Sequence, residues 1–363
     1  MVAETDWVTE GDSPQRQHEA EVTLIPPLEE AWVYNAGAGF GPVSPLMLGE
    51  AVFVATRKGE IHAINLETGK KMGVKGFGDA VQGTPVIEQG MLYVPVAWGG
   101  KVLRSYDLEL GRDDWTVKHV PIETGLLALD GSLYAVDVES NVRAYDPKTG
   151  EVRWLHKLDS LASIHTTPVV AGGDRLIVAN DEGVVSALGL SDGTPVWSRD
   201  LHTPVYATPT TNGETVFFPT TRGRFFALDA TQGATDWMYS VPDTTVRFSS
   251  PALAGDELIF GGSDGVLRSL DAQTGKVRWT FIVPDAITAA PLITRETLFF
   301  GSMGRILYAV DRETGSLRWE QVLKGRIKSA MAARDGHLVV LTEPRYVYLF
   351  RVPTDELVAS ESE

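Results

Sequence analysis

A short segment that recurs about every 41 residues constrains this chain more than any other feature of its sequence. The clearest copy runs Ala144-Tyr-Asp-Pro-Lys-Thr-Gly-Glu-Val-Arg-Trp154. Asp146 can accept hydrogen bonds from backbone amides of a turn, and Gly150 can adopt a positive φ without a Cβ clash. Trp154 then opens a returning strand with a large flat side chain. The segment therefore predicts a β-hairpin with a tight turn.

Seven copies of this Ala-x-Asp-x-x-x-Gly-x-x-x-Trp pattern follow one another. Four copies depart from it: Ser105 and Ser269 replace the alanine in two, Gly189 replaces the aspartate in a third, and the first copy has Asn65 and Gly73 in place of the aspartate and the tryptophan. The turn glycines lie 39 to 43 residues apart, at Gly69, Gly111, Gly150, Gly193, Gly233, Gly275 and Gly315. Short strands repeating with this period are typical of β-propeller blades.

The order of the strands predicts how the ring closes. Every repeat contains signals for four strands, and each strand type occurs eight times. The chain starts with a fourth strand at Trp32 and ends with a third strand at residues 346–350. We therefore expect an all-β protein, an eight-bladed β-propeller of four-stranded antiparallel blades, closed by the N-terminal strand in the last blade. Residues 1–30 form an N-terminal arm anchored by Trp7, residues 31–352 the propeller, and residues 353–363 an acidic C-terminal tail.

Composition excludes several classes of function. The 32 Lys and Arg against 48 Asp and Glu give a net charge of −16, which repels nucleic-acid phosphates. The absence of cysteine removes disulfides, thiol nucleophiles and thiolate metal sites. No apolar run approaches 18 residues, so we expect no transmembrane segment.

Three local patterns resemble sites but have simpler explanations. Gly261-Gly-Ser-Asp-Gly265 fits a serine nucleophile elbow, yet another strand follows it where a helix is required. Asp137-x-Glu139-x-Asn141 has the spacing of a short calcium loop but lacks the remaining ligands. No ligand spacing connects the seven histidines, which are His18, His62, His119, His156, His165, His202 and His337. We expect no catalytic set, no metal site and no cofactor.

The residues that enter each inner strand form the candidate site. Eightfold symmetry places the residue three before each small-residue/Pro position around one mouth of the axial channel, where propellers commonly bind ligands or peptides. We expect partner or ligand binding there, at Gln82, Glu123, His165, Tyr206, Phe248, Thr288 and Lys328, with Arg247 and Arg326 nearby. Pro42 and Thr124 belong to the same set of positions. The alternative is a solvated rim of loop ends.

The repeated Ala, Asp, Gly and Trp positions resemble the tryptophan-docking motif of pyrroloquinoline-quinone-type (PQQ-type) β-propellers. The resemblance covers residues 32–350 and implies that each tryptophan packs between neighbouring blades. The docking residues are Trp32, Trp115, Trp154, Trp197, Trp237, Trp279 and Trp319. Size, blade count and closure are similar to those of the BamB-type outer-membrane assembly lipoproteins, which are non-catalytic scaffolds. The longer quinoprotein dehydrogenases of this family carry adjacent cysteines and calcium ligands that have no matched motif here.

Two functions follow as hypotheses. The first is a non-enzymatic, extracytoplasmic scaffold that works as a monomer and binds a protein or extended peptide through loops and the channel mouth. The second is a PQQ dehydrogenase or other propeller enzyme, and a small-molecule or sugar sensor is a further alternative. A periplasmic or extracellular location is expected, with the export signal and a possible lipid anchor outside the given chain.

Overall fold

The computed structural model describes residues 6–118, 120–158 and 162–353. These residues form eight four-stranded antiparallel sheets arranged as the blades of a β-propeller, which confirms the predicted fold class. Blades are numbered along the chain, so that blade 1 is the first complete one and blade 8 the last. Among the described residues no helix is long and apolar enough to cross a membrane.

Each blade runs from an inner strand beside the axis to an outer strand. The inner strands of blades 1 to 8 are β2 (Leu46–Leu48), β6 (Val86–Glu88), β10 (Leu127–Leu129), β14 (Val169–Ala171), β18 (Thr210–Thr211), β22 (Ala252–Ala254), β26 (Leu292–Ile293) and β30 (Ala332–Arg334). The second strands are β3 (Ala51–Ala55), β7 (Met91–Pro95), β11 (Ser132–Val136), β15 (Arg175–Ala179), β19 (Thr215–Pro219), β23 (Glu257–Phe260), β27 (Thr297–Gly301) and β31 (His337–Thr342).

In blades 1 to 7 the outer half is a second hairpin, whereas in blade 8 the third strand pairs with the N-terminal strand. The third strands are β4 (Glu60–Asn65), β8 (Leu103–Asp107), β12 (Asn141–Tyr145), β16 (Val184–Gly189), β20 (Arg224–Asp229), β24 (Val266–Asp271), β28 (Ile306–Asp311) and β32 (Tyr346–Arg351). The fourth strands are β5 (Lys71–Gly76), β9 (Arg112–Val117), β13 (Val152–Lys157), β17 (Pro195–Asp200), β21 (Thr235–Ser240), β25 (Val277–Ile282), β29 (Leu317–Val322) and, in blade 8, β1 (Glu29–Asn35). A 3-10 helix, Glu10–Asp12, lies in the N-terminal arm.

The N-terminal strand closes the ring as expected. β1 pairs antiparallel with β32, with Trp32 opposite Leu349 and Val33 opposite Tyr348. The pairing covers the edge that β32 would otherwise expose, and the first and last parts of the chain thereby share one sheet.

The repeated turn residues explain how neighbouring blades pack. The indole Nε1 of a fourth-strand tryptophan donates to a backbone carbonyl in the next blade, as Trp154 does to Leu190 at 2.9 Å. Five other such bonds span 2.7 to 3.1 Å and join Trp32 to Leu66, Trp115 to Pro147, Trp197 to Ala230, Trp237 to Ala272 and Trp279 to Arg312. Trp319 instead meets Phe350 edge to face, with ring centroids 5.9 Å apart. Each tryptophan thus contacts the blade that follows its own.

Hydroxyl groups at the starts of inner strands join the blades near the axis. The Thr167 hydroxyl accepts a hydrogen bond from the Gly125 amide at 3.2 Å, and the Thr208 hydroxyl accepts one from the Thr167 amide at 3.2 Å. The Ser44 amide bonds to the Thr84 hydroxyl in the same way. These bonds give the recurring Thr-Pro dipeptides a structural role.

The two faces of the disc differ in which strand ends and turns they contain. The upper face carries the starts of the inner strands and the turns between second and third strands. The lower face carries the ends of the inner strands and the Asp-x-x-x-Gly turns. This arrangement follows from the alternating direction of antiparallel strands.

Candidate functional site

The N-terminal arm crosses the lower end of the axial channel and contacts every blade. Trp7, which the sequence predicted to anchor the arm, is 1% exposed, and its carbonyl accepts the Met47 amide at 2.7 Å. Further inner-strand amides in blades 2 and 4 to 7 donate to arm carbonyls: Ile87 to Val8, Val170 to Pro14, Thr211 to Gln15, Leu253 to Gln17 and Ile293 to His18. The arm therefore closes the channel from below.

Charged side chains fix the arm to the two remaining blades. Asp6 forms an ion pair with Arg334 in blade 8, and both side chains are buried. The guanidinium of Arg16 is fully buried and donates to the Leu126 carbonyl at the start of blade 3 at 2.7 Å. It also donates to the Thr9 hydroxyl and the Glu10 carbonyl, which hold it in place within the arm.

Above the arm, the channel forms a polar cavity of about 230 Å³ that we call the axial cup. Its wall contains the small residues that start the inner strands, among them Ser44, Gly83, Gly125, Thr167, Thr208, Ser250, Ala290 and Ala330. Its rim contains Pro42, Gln82, Glu123, Thr124, His165, Tyr206, Thr288 and Lys328. The cavity opens on the upper face, because its rim residues lie where the inner strands begin.

Six of the nine candidate mouth residues line this cup, namely Gln82, Glu123, His165, Tyr206, Thr288 and Lys328. Tyr206 is 47% exposed, and its ring lies 5.6 Å from that of His165 between centroids. The His165 Nε2 atom lies 3.8 Å from an Asp181 carboxylate oxygen. The rim therefore presents an aromatic pair with a carboxylate beside it, on blades 4 and 5.

The other three candidates lie away from the cup. Phe248 is buried between blades, where its ring centroid is 5.0 Å from that of Phe260. The Arg247 amide donates to the Ser263 hydroxyl, and the side chain is exposed. Arg326 is also exposed and pairs through its backbone with Glu343. Phe248 does not reach the rim, because the neighbouring aromatic side chains form an apolar recess that buries its phenyl group.

The floor of the cup comes from two arm residues that sequence reasoning did not assign to it. Glu10 lines the cavity and accepts a 2.7 Å hydrogen bond from the Thr167 hydroxyl. His18 also lines it, is 1% exposed, and has no hydrogen-bond partner at either ring nitrogen within the described chain. Burial lowers the pKa of His18 to about 3, with the neighbouring Arg16 as a second cause, so the imidazole is neutral at pH 7. No sequence pattern marked these residues, because the arm meets the channel only in the folded ring.

The local patterns that resembled sites serve as turns. Ser263 lies between β23 and β24, in the tight turn that the sequence favoured. The Asp137 carboxylate is buried and occupied by Arg143 and Asn141. His119, one of the seven histidines, lies outside the described residues.

The donor set of the cup does not fit the cofactor of PQQ-type dehydrogenases. That quinone is a tricarboxylate, whereas the cup lining places the carboxylates of Glu10 and Glu123 against the single ammonium of Lys328. Across the described ranges, no group of three or more His, Cys, Asp or Glu side chains could hold a metal ion. The guanidinium of Arg16 lies beside Glu10 and His18, but it already donates to Thr9, Glu10 and Leu126. Among the described lining residues, Lys328 is therefore the cation left to pair with three carboxylates.

Taken together, the interlocked blades, the tryptophan contacts and the arm define a PQQ-like eight-bladed β-propeller. Its sequence matches the family described as outer membrane protein assembly factor BamB over residues 18–163, 138–289 and 282–352, and the chain belongs to that family. A relative from Alkalilimnicola ehrlichii, named outer membrane protein assembly factor BamB, is 29% identical over 202 residues. That match covers 52% of this chain and 51% of the relative, so the chain spans about half the length of the relative it matches.

Solved structures agree on the fold. BamB from Moraxella catarrhalis superposes with a TM-score of 0.75 at 16% identity, covering 90% of this chain and 100% of that one. The quinohemoprotein alcohol dehydrogenase from Comamonas testosteroni superposes with a TM-score of 0.79 at 14% identity, covering 96% of this chain and 81% of that one. At these identities the similarity establishes the propeller fold alone.

Proposed function

We propose that this chain is a non-enzymatic scaffold that acts outside the cytoplasm and binds a protein or an extended peptide at its upper face. Membership of the BamB family supports the scaffold class, and the names of its relatives suggest a partner in outer-membrane protein assembly. The same relatives, by their names, support a location outside the cytoplasm.

The observation that carries this proposal is the asymmetry between the two ends of the channel. The arm occupies the lower end and uses inner-strand amides of blades 1, 2 and 4 to 7. The upper end remains an open cup whose rim offers a different side chain on most blades. A partner that extends a side chain or a chain end into the mouth would contact residues of several blades at once.

Site-specific crosslinking tests this proposal. A photoreactive phenylalanine analogue replaces Tyr206 at the rim or, as a matched control, Leu110 in a lower-face turn; both native side chains are exposed, 47% and 60%. The probe is the set of purified soluble domains of the host's outer-membrane assembly machinery. We expect a crosslink from position 206 and none from position 110.

Two results would contradict the proposal in different ways. Crosslinking at position 110 alone would place the partner on the lower face and reject the mouth as the binding site. Absence of binding to every domain, measured by interferometry with the wild-type chain, would reject the assembly partner itself.

A further inference from the structure

We infer that the axial cup binds a primary ammonium group, presented by the lysine side chain of a partner segment or by a small free amine. The inference deepens the proposed function, on which it rests, by naming the chemistry that the mouth recognises.

The negative charges of the cup lie on one side. Glu10 is held at blade 4 by the Thr167 hydroxyl, and Glu123 lines the cup from blade 3. Asp181 stands beside His165 on blade 4. The lining cation Lys328 belongs to blade 8, four blades away and therefore across the ring. The buried Arg16 guanidinium lies beside Glu10 and His18 and offsets part of the negative charge at the floor. A cation entering at the rim would be attracted to the Glu123 and Asp181 carboxylates of blades 3 and 4.

His18, on the floor of the cup, is a buried imidazole without a hydrogen-bond partner among the described residues. His18 is neutral, so one ring nitrogen carries a lone pair that can accept a hydrogen bond. A buried polar group without a partner destabilises the structure, and a ligand that supplies the missing partner is correspondingly favoured. An ammonium has three donors and no acceptor, which matches a cup of carboxylates and a neutral imidazole.

The aromatic pair on the rim favours the same ligand. The rings of Tyr206 and His165 lie together on the rim beside the Asp181 carboxylate, and an ammonium over a tyrosine face gains a cation–π interaction. The cavity of about 230 Å³ exceeds the ~30 Å³ share of a single water, so it admits the end of a side chain. The net charge of −16 attracts cationic ligands from a distance.

Calorimetric and NMR titrations of the full chain with ¹⁵N-labelled histidine test the inference. The probes are Nα-acetyl-lysine amide, n-butylamine and, as an uncharged control, n-butanol. We expect at least one ammonium compound to bind and to shift the His18 ring resonances, and n-butanol to do neither. Binding of the lysine compound alone identifies a lysine side chain as the occupant, and binding of butylamine alone identifies a small amine.

Variants separate the cup from the rest of the surface. Glu123→Gln and His18→Phe should each weaken ammonium binding about tenfold or more, because each removes an acceptor for a charged donor. Glu214→Gln, the same type of change on an exposed lower-face turn, should leave the affinity unchanged. Because His18→Phe could disturb the arm, the partly exposed Glu123 provides the independent check.

Absence of ammonium binding, or affinity that is unchanged in Glu123→Gln, would overturn the inference. Equal binding of n-butanol would show that charge is not what the cup recognises and would overturn it as well. These outcomes leave the crosslinking result at position 206 untouched, so failure of the inference and failure of the proposed function are distinguishable.

Discussion

At the scale of single residues, the turn glycine that follows a tryptophan-bearing blade meets two requirements. Gly193 has a φ of +71°, and a Cβ added there would lie 2.4 Å from the Trp154 ring. The same residue therefore permits the turn of its own blade and receives the tryptophan of the previous one. Blade 1 has Gly73 where the other blades have a tryptophan. In the next blade, a Cβ added at Gly111 would accordingly meet no indole ring, and its nearest neighbour would be the Tyr106 hydroxyl, at 3.7 Å.

Gly193→Ala should therefore destabilise the protein by about 2–4 kcal/mol, combining left-handed backbone strain with a steric clash against Trp154. Gly131→Ala is the matched control, since Gly131 has a φ of +66° and a Cβ added there would meet nothing within 4 Å. The control should cost only about 1–2 kcal/mol from strain. Urea unfolding followed by tryptophan fluorescence measures both, and equal losses would contradict the docking role of the glycine.

The buried His18 predicts an acid-sensitive arm. Its folded pKa of about 3 lies below its ordinary value of 6.5, so the folded state binds this proton less tightly than the unfolded state. The stability that the neutral imidazole contributes is complete above pH 6.5 and is lost as the pH falls towards 3. His18→Gln should reduce the fall in Tm between pH 7.5 and pH 4.5, whereas His202→Gln, at an exposed histidine, should not. An unchanged fall in His18→Gln would contradict this assignment.

Asp12 predicts a change of the opposite sign at alkaline pH. Burial, reinforced by the neighbouring Asp6, raises the pKa of Asp12 to about 8 from an ordinary 3.8. The stability contributed by the protonated carboxyl is complete below pH 3.8 and is lost as the pH rises through 8. Asp12→Asn should therefore raise Tm relative to the wild type at pH 9 more than at pH 5. A Tm difference that is the same at both pH values would refute this.

At the scale of elements, the hairpins are local structures and the arm is not. Each outer hairpin is held by residues within its own turn, as where the Asp146 carboxylate accepts the Lys148 and Thr149 amides. The arm has almost no regular structure of its own. Its carbonyl groups accept amides from inner strands, so its path is specified by the ring that it closes.

Arg16→Gln should loosen the arm without unfolding the blades, because Arg16 joins the arm to Leu126 from within the channel. We expect faster hydrogen exchange at the Thr211, Leu253 and Ile293 amides, which donate to arm carbonyls. Amides within β16, which pair only inside blade 4, serve as the reference. Uniform acceleration across all blades would indicate global destabilisation and contradict a local role.

At the scale of the whole molecule, ring closure depends on β1. Without it, β32 would present an unpaired edge and blade 1 would lose the Trp32 contact to Leu66. A chain lacking residues 1–36 should therefore self-associate, and a synthetic peptide of residues 6–36 should restore the monomer. The same peptide with Trp32→Ala should restore it less well. Sedimentation velocity measures the outcome, and a truncated chain that remains monomeric would contradict the closing role.

The charge arrangement of the cup also predicts how weakly the whole molecule binds the quinone cofactor of PQQ-type dehydrogenases. Pyrroloquinoline quinone with calcium should not bind tighter than ~10 µM, which corresponds to about −7 kcal/mol. Absorbance and calorimetric titration measure this, with a PQQ-dependent alcohol dehydrogenase as the positive control. Tighter binding accompanied by dye reduction on alcohols or sugars would favour the enzyme hypothesis over the scaffold.

Blade number, strand order and ring closure could all be predicted from the sequence alone. They depend on residues that act within one turn or between adjacent blades, such as Asp146, Gly150 and Trp154, so their spacing reveals them. Symmetry also placed six of the nine candidate residues on the cup. It misplaced Phe248, because symmetry gives the position of a residue but not whether a neighbouring recess will bury its side chain.

The floor beneath the mouth, in contrast, emerges only from the folded ring. Glu10 meets Thr167 across 157 residues of sequence, and Asp6 meets Arg334 across 328. Contacts of this kind belong to no repeat and leave no period in the sequence. The arm becomes the floor of the cup because the completed ring presents unpaired amides around a common axis, and that geometry exists only once all eight blades are in place.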